Sequence, residues 1–169
     1  MPNDELNKVE IPALEQLKSL GWTYIEGAKL SPDESDERSS FKDVILENRL
    51  KKSIQKINPW ISEDNLRKVI SDLTRSQFTN LIEANQSIWN TLTQYTSVMQ
   101  DLGKGNRGQA VKIIDFDNFE NNEFLCTNQF KVSGINQNII PDIILFVNGL
   151  PLAVIECKSP YITNPMESG

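Results

Sequence analysis

Ile140-Pro141-Asp142-Ile143-Ile144-Leu145-Phe146-Val147-Asn148-Gly149-Leu150-Pro151-Leu152-Ala153-Val154-Ile155-Glu156-Cys157-Lys158 decides the fold of this chain. Ile143 to Val147 and Leu152 to Ile155 are short apolar runs, and Asn148-Gly149 between them is a turn signal. The stretch therefore reads as a β-hairpin. Continuous apolar runs are expected in strands covered on both faces. A carboxylate beside such a run is costly to bury unless it is paired or holds a cation. Asp142 enters one strand, and Glu156 and Lys158 leave the other, so all three fall at one end of the hairpin. Two carboxylates with a lysine beside them are the parts of a divalent-cation site that hydrolyses phosphodiesters. The bland reading is a strand whose Glu156 and Lys158 are simply solvated.

Strand parity sharpens this. Glu156 and Lys158 are two apart and share a face. A two-residue loop at Asn148-Gly149 would set Asp142 against Ile155, pointing away from Glu156. One extra residue would set Asp142 directly across from Glu156. Pro151 cannot donate to a ladder and argues against a tight turn. Val147 to Pro151 is therefore expected to be a wider loop or a bulged one.

The stretch from Pro141 to Pro160 resembles the nuclease motif of the restriction (R) subunit of type I restriction enzymes, within the PD-(D/E)xK superfamily. Val111 to Phe116, Asn121 to Phe124, Asn128 to Phe130 and the opening Glu10 to Trp22 resemble that family too, and Asp36 to Gln100 matches only loosely. The resemblance implies a restriction-endonuclease-like α/β fold: a mixed sheet flanked by helices, with a helical insertion after the first helix. It implies that Asp142, Glu156 and the main-chain carbonyl of Cys157 hold Mg²⁺, and that Lys158 orients or helps deprotonate the attacking water. A Glu on the first helix of the superfamily adds a ligand or positions water. Glu10 stands where that family carries it relative to the following Gly-Trp, and Glu15 is the competitor. The two are five apart and do not share a helix face. The family also carries a Gln and a Tyr on a helix after the Lys, which these 169 residues do not include.

The resemblance further implies Mg²⁺-dependent cleavage of duplex DNA in a cytoplasmic complex with methylation and specificity subunits. ATP would be used by a motor region beyond this sequence, so residues 1–169 would be one nuclease domain of a longer chain. Two other readings stay open: a catalytically silent docking module that keeps the nuclease fold, and a free-standing repair or recombination nuclease. In the silent case Asp142, Glu156 and Lys158 would not converge.

Composition narrows the chemistry independently. There is no histidine, which removes Ser-His triads, His general bases and most zinc sites. Cys126 and Cys157 lack metal spacing and read as buried thiols. No apolar run is long enough to span a membrane, and the acidic, polar opening is not a signal peptide. The net charge of −6 is unusual for a DNA-binding chain. Part of the acid surplus is the candidate metal ligands themselves and the Asp33-Glu34-Ser35-Asp36-Glu37 run, and the rest suggests that DNA is held by other parts of a larger polypeptide or complex.

Along the chain, Val9 to Leu20 carries a helical apolar stripe (Ile11, Leu14, Leu17, Leu20), with Pro12 in its first turn and Gly21 at its end. Trp22 to Ile25 is a short strand candidate. Residues 31–40 are polar and read as a flexible linker. Residues 41–92 read as the helical insertion: one helix beginning at Ser40 with Asp43, a second capped by Ser62, a third over Leu81 to Leu92. Residues 109–158 read as the core sheet, with Val111 to Phe116 as a strand. Gly103 to Gly108 spells G-x-G-x-x-G, but a strand rather than a helix follows, so it is read as a mobile basic loop. Arg49, Lys51, Lys52 and Lys56 read as a solvated helix face. Trp60 and Trp89 read as core. Asn128 and Gln129 fall on a strand beside the hairpin, where Gln129 could face the site.

Overall fold

The computed structural model describes residues 5–74, 80–134, 137–159 and 161. In chain order, a π-helical turn (Leu6–Glu10) runs into α1 (Ile11–Ser19), followed by β1 (Thr23–Tyr24), α2 (Glu47–Ile57), α3 (Glu63–Thr74) and α4 (Leu81–Thr93). Then come β2 (Thr96–Asp101), β3 (Asn106–Val111), β4 (Phe124–Asn128), β5 (Val132–Ser133), β6 (Asn138–Ile139), β7 (Ile143–Val147) and β8 (Leu150–Ile155). The chain divides into two compact units, residues 1–46 with 124–169, and residues 47–123. No helix among the described residues is long and apolar enough to cross a membrane.

The first unit is built on a four-stranded sheet of order β1-β4-β7-β8, with β1 parallel to β4 and the remaining pairs antiparallel. α1 ends as its sequence dictates. Gly21 takes a left-handed φ of 91°, its N–H returns to the Lys18 carbonyl, and the Trp22 N–H reaches the Leu17 carbonyl. That closure delivers Trp22 edge-on to Phe124, 5.2 Å between ring centroids. Leu14 of α1 packs with Cys126, Ile143 and Cys157, while Leu30, Leu46, Leu125, Phe130, Ile144 and Phe146 form a second apolar cluster.

Several expectations are revised here. Ser40 and Asp43 do not start a helix. The Asp43 carboxylate accepts from the Ser39 and Ser40 N–H groups, closing a local turn, and the Leu46 N–H donates to the Gly149 carbonyl. These bonds hold the backbone off the helical path until Glu47. Residues 31–40 contain no helix or strand, yet Arg38 within them is buried against Phe130 and donates to the Leu30 and Lys131 carbonyls. β8 is an edge strand rather than a covered one, with Leu152 47 % and Val154 57 % exposed.

The second unit holds α2 to α4 and also a two-stranded hairpin, β2 with β3, that the sequence reading divided between loop and sheet. Strand β3 ends at Val111, so of the expected strand Val111 to Phe116 only its first residue is in a strand. Gly103 and Gly105 form the turn of this hairpin at positive φ and Gly108 lies inside β3, so no helix follows the glycine pattern. α3 begins where Ser62 was expected to cap it, and Leu66, Val69 and Ile70 are its buried side. Trp89 is 62 % exposed and is not core. In α4 only Leu92 of the apolar residues is buried among the described side chains, so the helix turns the rest of its apolar stripe, Trp89 included, to solvent.

Candidate active site

The hairpin carries both a tight turn and a bulge. Asn148 and Gly149 take φ of 54° and 81°, the left-handed pair of a type I′ turn, and Val147 faces Leu150. The two-residue turn disfavoured on the sequence is therefore present. Pro151 is accommodated because β8 lies at the sheet edge and the ladder breaks beside it. Phe146 pairs with Pro151 but Leu145 pairs with Ala153, so Leu152 is the extra residue of a bulge. Downstream the register is Ile144 with Val154 and Ile143 with Ile155. Continued one step past that last pair, the same register would set Asp142 across from Glu156, the alignment that the parity argument required.

At that end Asp142 is half-buried, and its Oδ2 accepts the Cys157 N–H at 2.7 Å. The bond fixes the Asp142 carboxylate against the first residues beyond β8. Glu156 is exposed and Lys158 half-buried. Glu5 accepts the Ser159 N–H at 3.0 Å, so the start of the chain closes on the same segment.

Glu10, rather than Glu15, turns to the sheet. Glu10 and Leu14 are one helical turn apart and share the buried face, whereas Glu15 is exposed and paired with Lys18 at 2.8 Å. Glu10 is only 3 % exposed. Its two oxygens accept from the Asn128 Nδ2 at 2.7 Å and the Gln129 Nε2 at 3.4 Å. It ends the π-helical turn, a rare backbone form that recurs at functional positions. The Gln129 N–H also donates to the Asp142 carbonyl at 3.1 Å. One residue thus touches both the Glu10 side chain and the Asp142 backbone.

Electrostatics report the same convergence. Burial pushes the Cys157 thiol up to about 11, with the charges of Asp142, Glu10, Glu5 and Glu156 adding to the rise in that order. Burial also raises the Cys126 thiol, and both cysteines are free. Among the described residues no group of three or more His, Cys, Asp or Glu side chains is gathered as a ready metal cluster. The candidate donors named on the sequence, the Asp142 and Glu156 carboxylates and the Cys157 carbonyl, are oxygen donors of the kind that suits Mg²⁺ or Mn²⁺ rather than zinc. A concentration of negative charge around Cys157 is the environment in which such a cation offsets repulsion.

The sequence reading did not assign Tyr24, whose hydroxyl donates to the Asn128 Oδ1 at 2.7 Å, nor Asn128 as a partner of Glu10. A buried Glu beside a strand-terminal Asn-Gln pair was the available signal. Three of the four basic residues of α2 are engaged within their own unit: Arg49 pairs with Glu123, Lys51 with Glu63 at 2.5 Å, and Lys56 reaches the Glu120 carbonyl, while Lys52 is exposed.

Comparison with known proteins identifies the family. A family profile described as the type I restriction enzyme R protein N terminus matches residues 3–168. The chain is 37 % identical over 155 residues to a protein of Methanocaldococcus jannaschii named as the endonuclease subunit of type I restriction enzyme MjaIXP, covering 90 % of this chain and 15 % of that protein. It is 33 % identical over 156 residues to the type I restriction enzyme HindI endonuclease subunit of Haemophilus influenzae, covering 91 % of this chain and 15 % of that protein. The chain thus spans about 15 % of the length of these relatives.

Proposed function

We propose, given that this chain belongs to the family of type I restriction enzyme R protein N-terminal regions, that residues 1–46 and 124–169 carry a Mg²⁺-dependent endonuclease centre of the PD-(D/E)xK type that cleaves duplex DNA. The observation that supports this reading is the Leu152 bulge, whose register, continued one step past Ile143 and Ile155, would align Asp142 with Glu156, together with the Cys157 N–H bond to Asp142. Asp142, Glu156 and the Cys157 carbonyl would hold the cation. When bound, Mg²⁺ supplies charge neutralisation at the phosphate oxygens. Lys158, two residues beyond Glu156, orients the attacking water or takes part in its deprotonation. Glu10 positions water or adds an oxygen ligand. The apolar packing of Cys157 against Leu14 and Ile143 holds the Glu156–Lys158 segment in place from behind.

By the same reading the cleavage takes place in the cytoplasm, in a complex with methylation and specificity subunits. ATP is consumed by a motor elsewhere in the full-length polypeptide. The acidic balance of this chain fits a division of labour in which other regions grip the DNA.

The test uses the full-length polypeptide in its complex. Lys158→Ala and Lys158→Arg should each lose DNA cleavage by about 10²-fold or more while ATP hydrolysis continues. Arg should fail because a wide, permanently charged fork does not replace a compact ammonium. Cleavage by Lys158→Ala at the wild-type rate would remove Lys158 from the reaction.

A further inference from the structure

We propose that Tyr24 and Asn128, backed by Gln129, are positioning residues that hold the Glu10 carboxylate in one orientation for a bound divalent cation. This rests on the metal-site reading above and extends it to residues outside the hairpin.

Three observations converge on the Asn128-Gln129 corner. First, the donors are matched to the acceptors: the Asn128 amide takes one Glu10 oxygen and the Gln129 amide the other. An ionised carboxylate only accepts, so two amide donors suit its charged form. Second, the Asn128 amide has its own orientation imposed. The Tyr24 hydroxyl donates to Oδ1, which leaves Nδ2 as the end that faces Glu10. Removing the hydroxyl would leave Oδ1 without that donor and the Asn128 amide held only from the Glu10 side. Third, the backbone here is built against its preferences. Gln129 takes a left-handed φ of 52°, a conformation that non-glycine residues rarely adopt. Gly27 packs so closely beneath the corner that a Cβ there would overlap the Asn128 carbonyl and lie 2.8 Å from the Gln129 carbonyl. A strand end needing only to stop requires none of this. In return, Gln129 bonds the Asp142 backbone and the Glu10 side chain together.

Glu10 is thereby locked through a chain running from Tyr24 to Asn128 to Glu10, with its anchor on β1, β4 and the start of α1. Outer partners of this kind typically cost about 10- to 100-fold in metal affinity when removed. Glu10 is one donor among several, so the expected losses lie at the low end.

The experiment measures Mn²⁺ affinity by electron paramagnetic resonance on the nucleotide-free full-length polypeptide, with thermal melting as a check on folding. Wild type, Tyr24→Phe, Asn128→Ala, Glu10→Gln, Asp142→Ala and the two double variants with Glu10→Gln are compared. Asn128→Ala should weaken Mn²⁺ binding about tenfold and Tyr24→Phe about threefold. Both losses should vanish on the Glu10→Gln background, because residues that act through Glu10 have nothing left to position. Tyr24→Phe removes one hydroxyl and no packing, so it reports even where Asn128→Ala lowers stability. If Asp142→Ala weakens binding but Tyr24→Phe and Asn128→Ala bind as wild type, or their losses persist without Glu10, the positioning role is wrong. Wild-type affinity in Asp142→Ala would overturn the metal site itself, a separate failure.

Discussion

Apart from the exposed Glu15–Lys18 pair of the first unit, the charged clusters of the two units are held differently. In residues 47–123 charged side chains are matched close at hand: Arg49 with Glu123, Lys51 with Glu63, Arg67 with Asp64, and Lys112 with both Asp115 and Asp117. In the other unit Asp142, Glu10, Glu5 and Glu156 all act on one buried thiol and raise it. Their hydrogen bonds come from main-chain N–H groups and amides: Cys157 to Asp142, Ser159 to Glu5, Asn128 and Gln129 to Glu10. Amides orient a carboxylate without cancelling its charge. Where a fold needs only to be stable, local ion pairs suffice. Carboxylates held in fixed directions by amides and main-chain N–H groups are what the proposed cation site requires.

The largest expected effect breaks the register on which that contrast rests. Inserting one alanine between Val154 and Ile155 would set Asp142 against Ile155 and turn Glu156 to the other face. DNA cleavage by the full-length complex should fall about 10²-fold or more, since small misplacements of a reacting group cost that much. Deleting Leu152 is the control. It removes the bulge residue but leaves Leu145 facing Ala153, and so retains Asp142 across from Glu156. Cleavage should survive the deletion far better than the insertion. Equal losses would show that the bulge does not set the site.

A smaller effect belongs to the paired unit. The Asn121 amide, Lys112 and the Asn118 and Asp117 N–H groups hold the Asp115 carboxyl well below its usual 3.8, at about 2. A depressed carboxyl contributes stability above its unfolded value and loses it as pH falls through the folded one. Asp115→Asn should therefore melt at a lower temperature than wild type at pH 7. The gap should close as pH drops from about 4 towards about 2. A gap that stays constant over that range would mean that the charge of Asp115 is irrelevant to the fold. The smallest effect is expected at Lys51 with Glu63, a partly exposed pair. Lys51→Ala should change unfolding free energy by less than about 1 kcal/mol in a denaturant titration.

Much of the site was legible in the sequence because its parts are local. Asn148-Gly149 fixes a turn, short apolar runs fix two strands, and a Gly-Trp after a helical stripe fixes where α1 ends. The parity of Asp142 and Glu156 demanded one extra residue, and the bulge at Leu152 supplies it. What the sequence hid depends on long-range contacts. Ser40 and Asp43 form the bonds of a helix start, but the Leu46 tie to Gly149 keeps the chain from becoming helical there. Apolar β8 looked covered because its pattern matches a central strand, and only the strand order reveals it as an edge. Tyr24 lies 104 residues from Asn128, and no local pattern links them.

The central claim is that the hairpin end holds a divalent cation through Asp142. Calorimetric titration of Mg²⁺ into the nucleotide-free full-length polypeptide, wild type against Asp142→Ala, tests it directly. Wild type should show a binding heat absent from Asp142→Ala, and millimolar Mg²⁺ should raise its melting temperature but not that of the variant. Identical titrations and identical melting shifts in the two proteins would contradict the account.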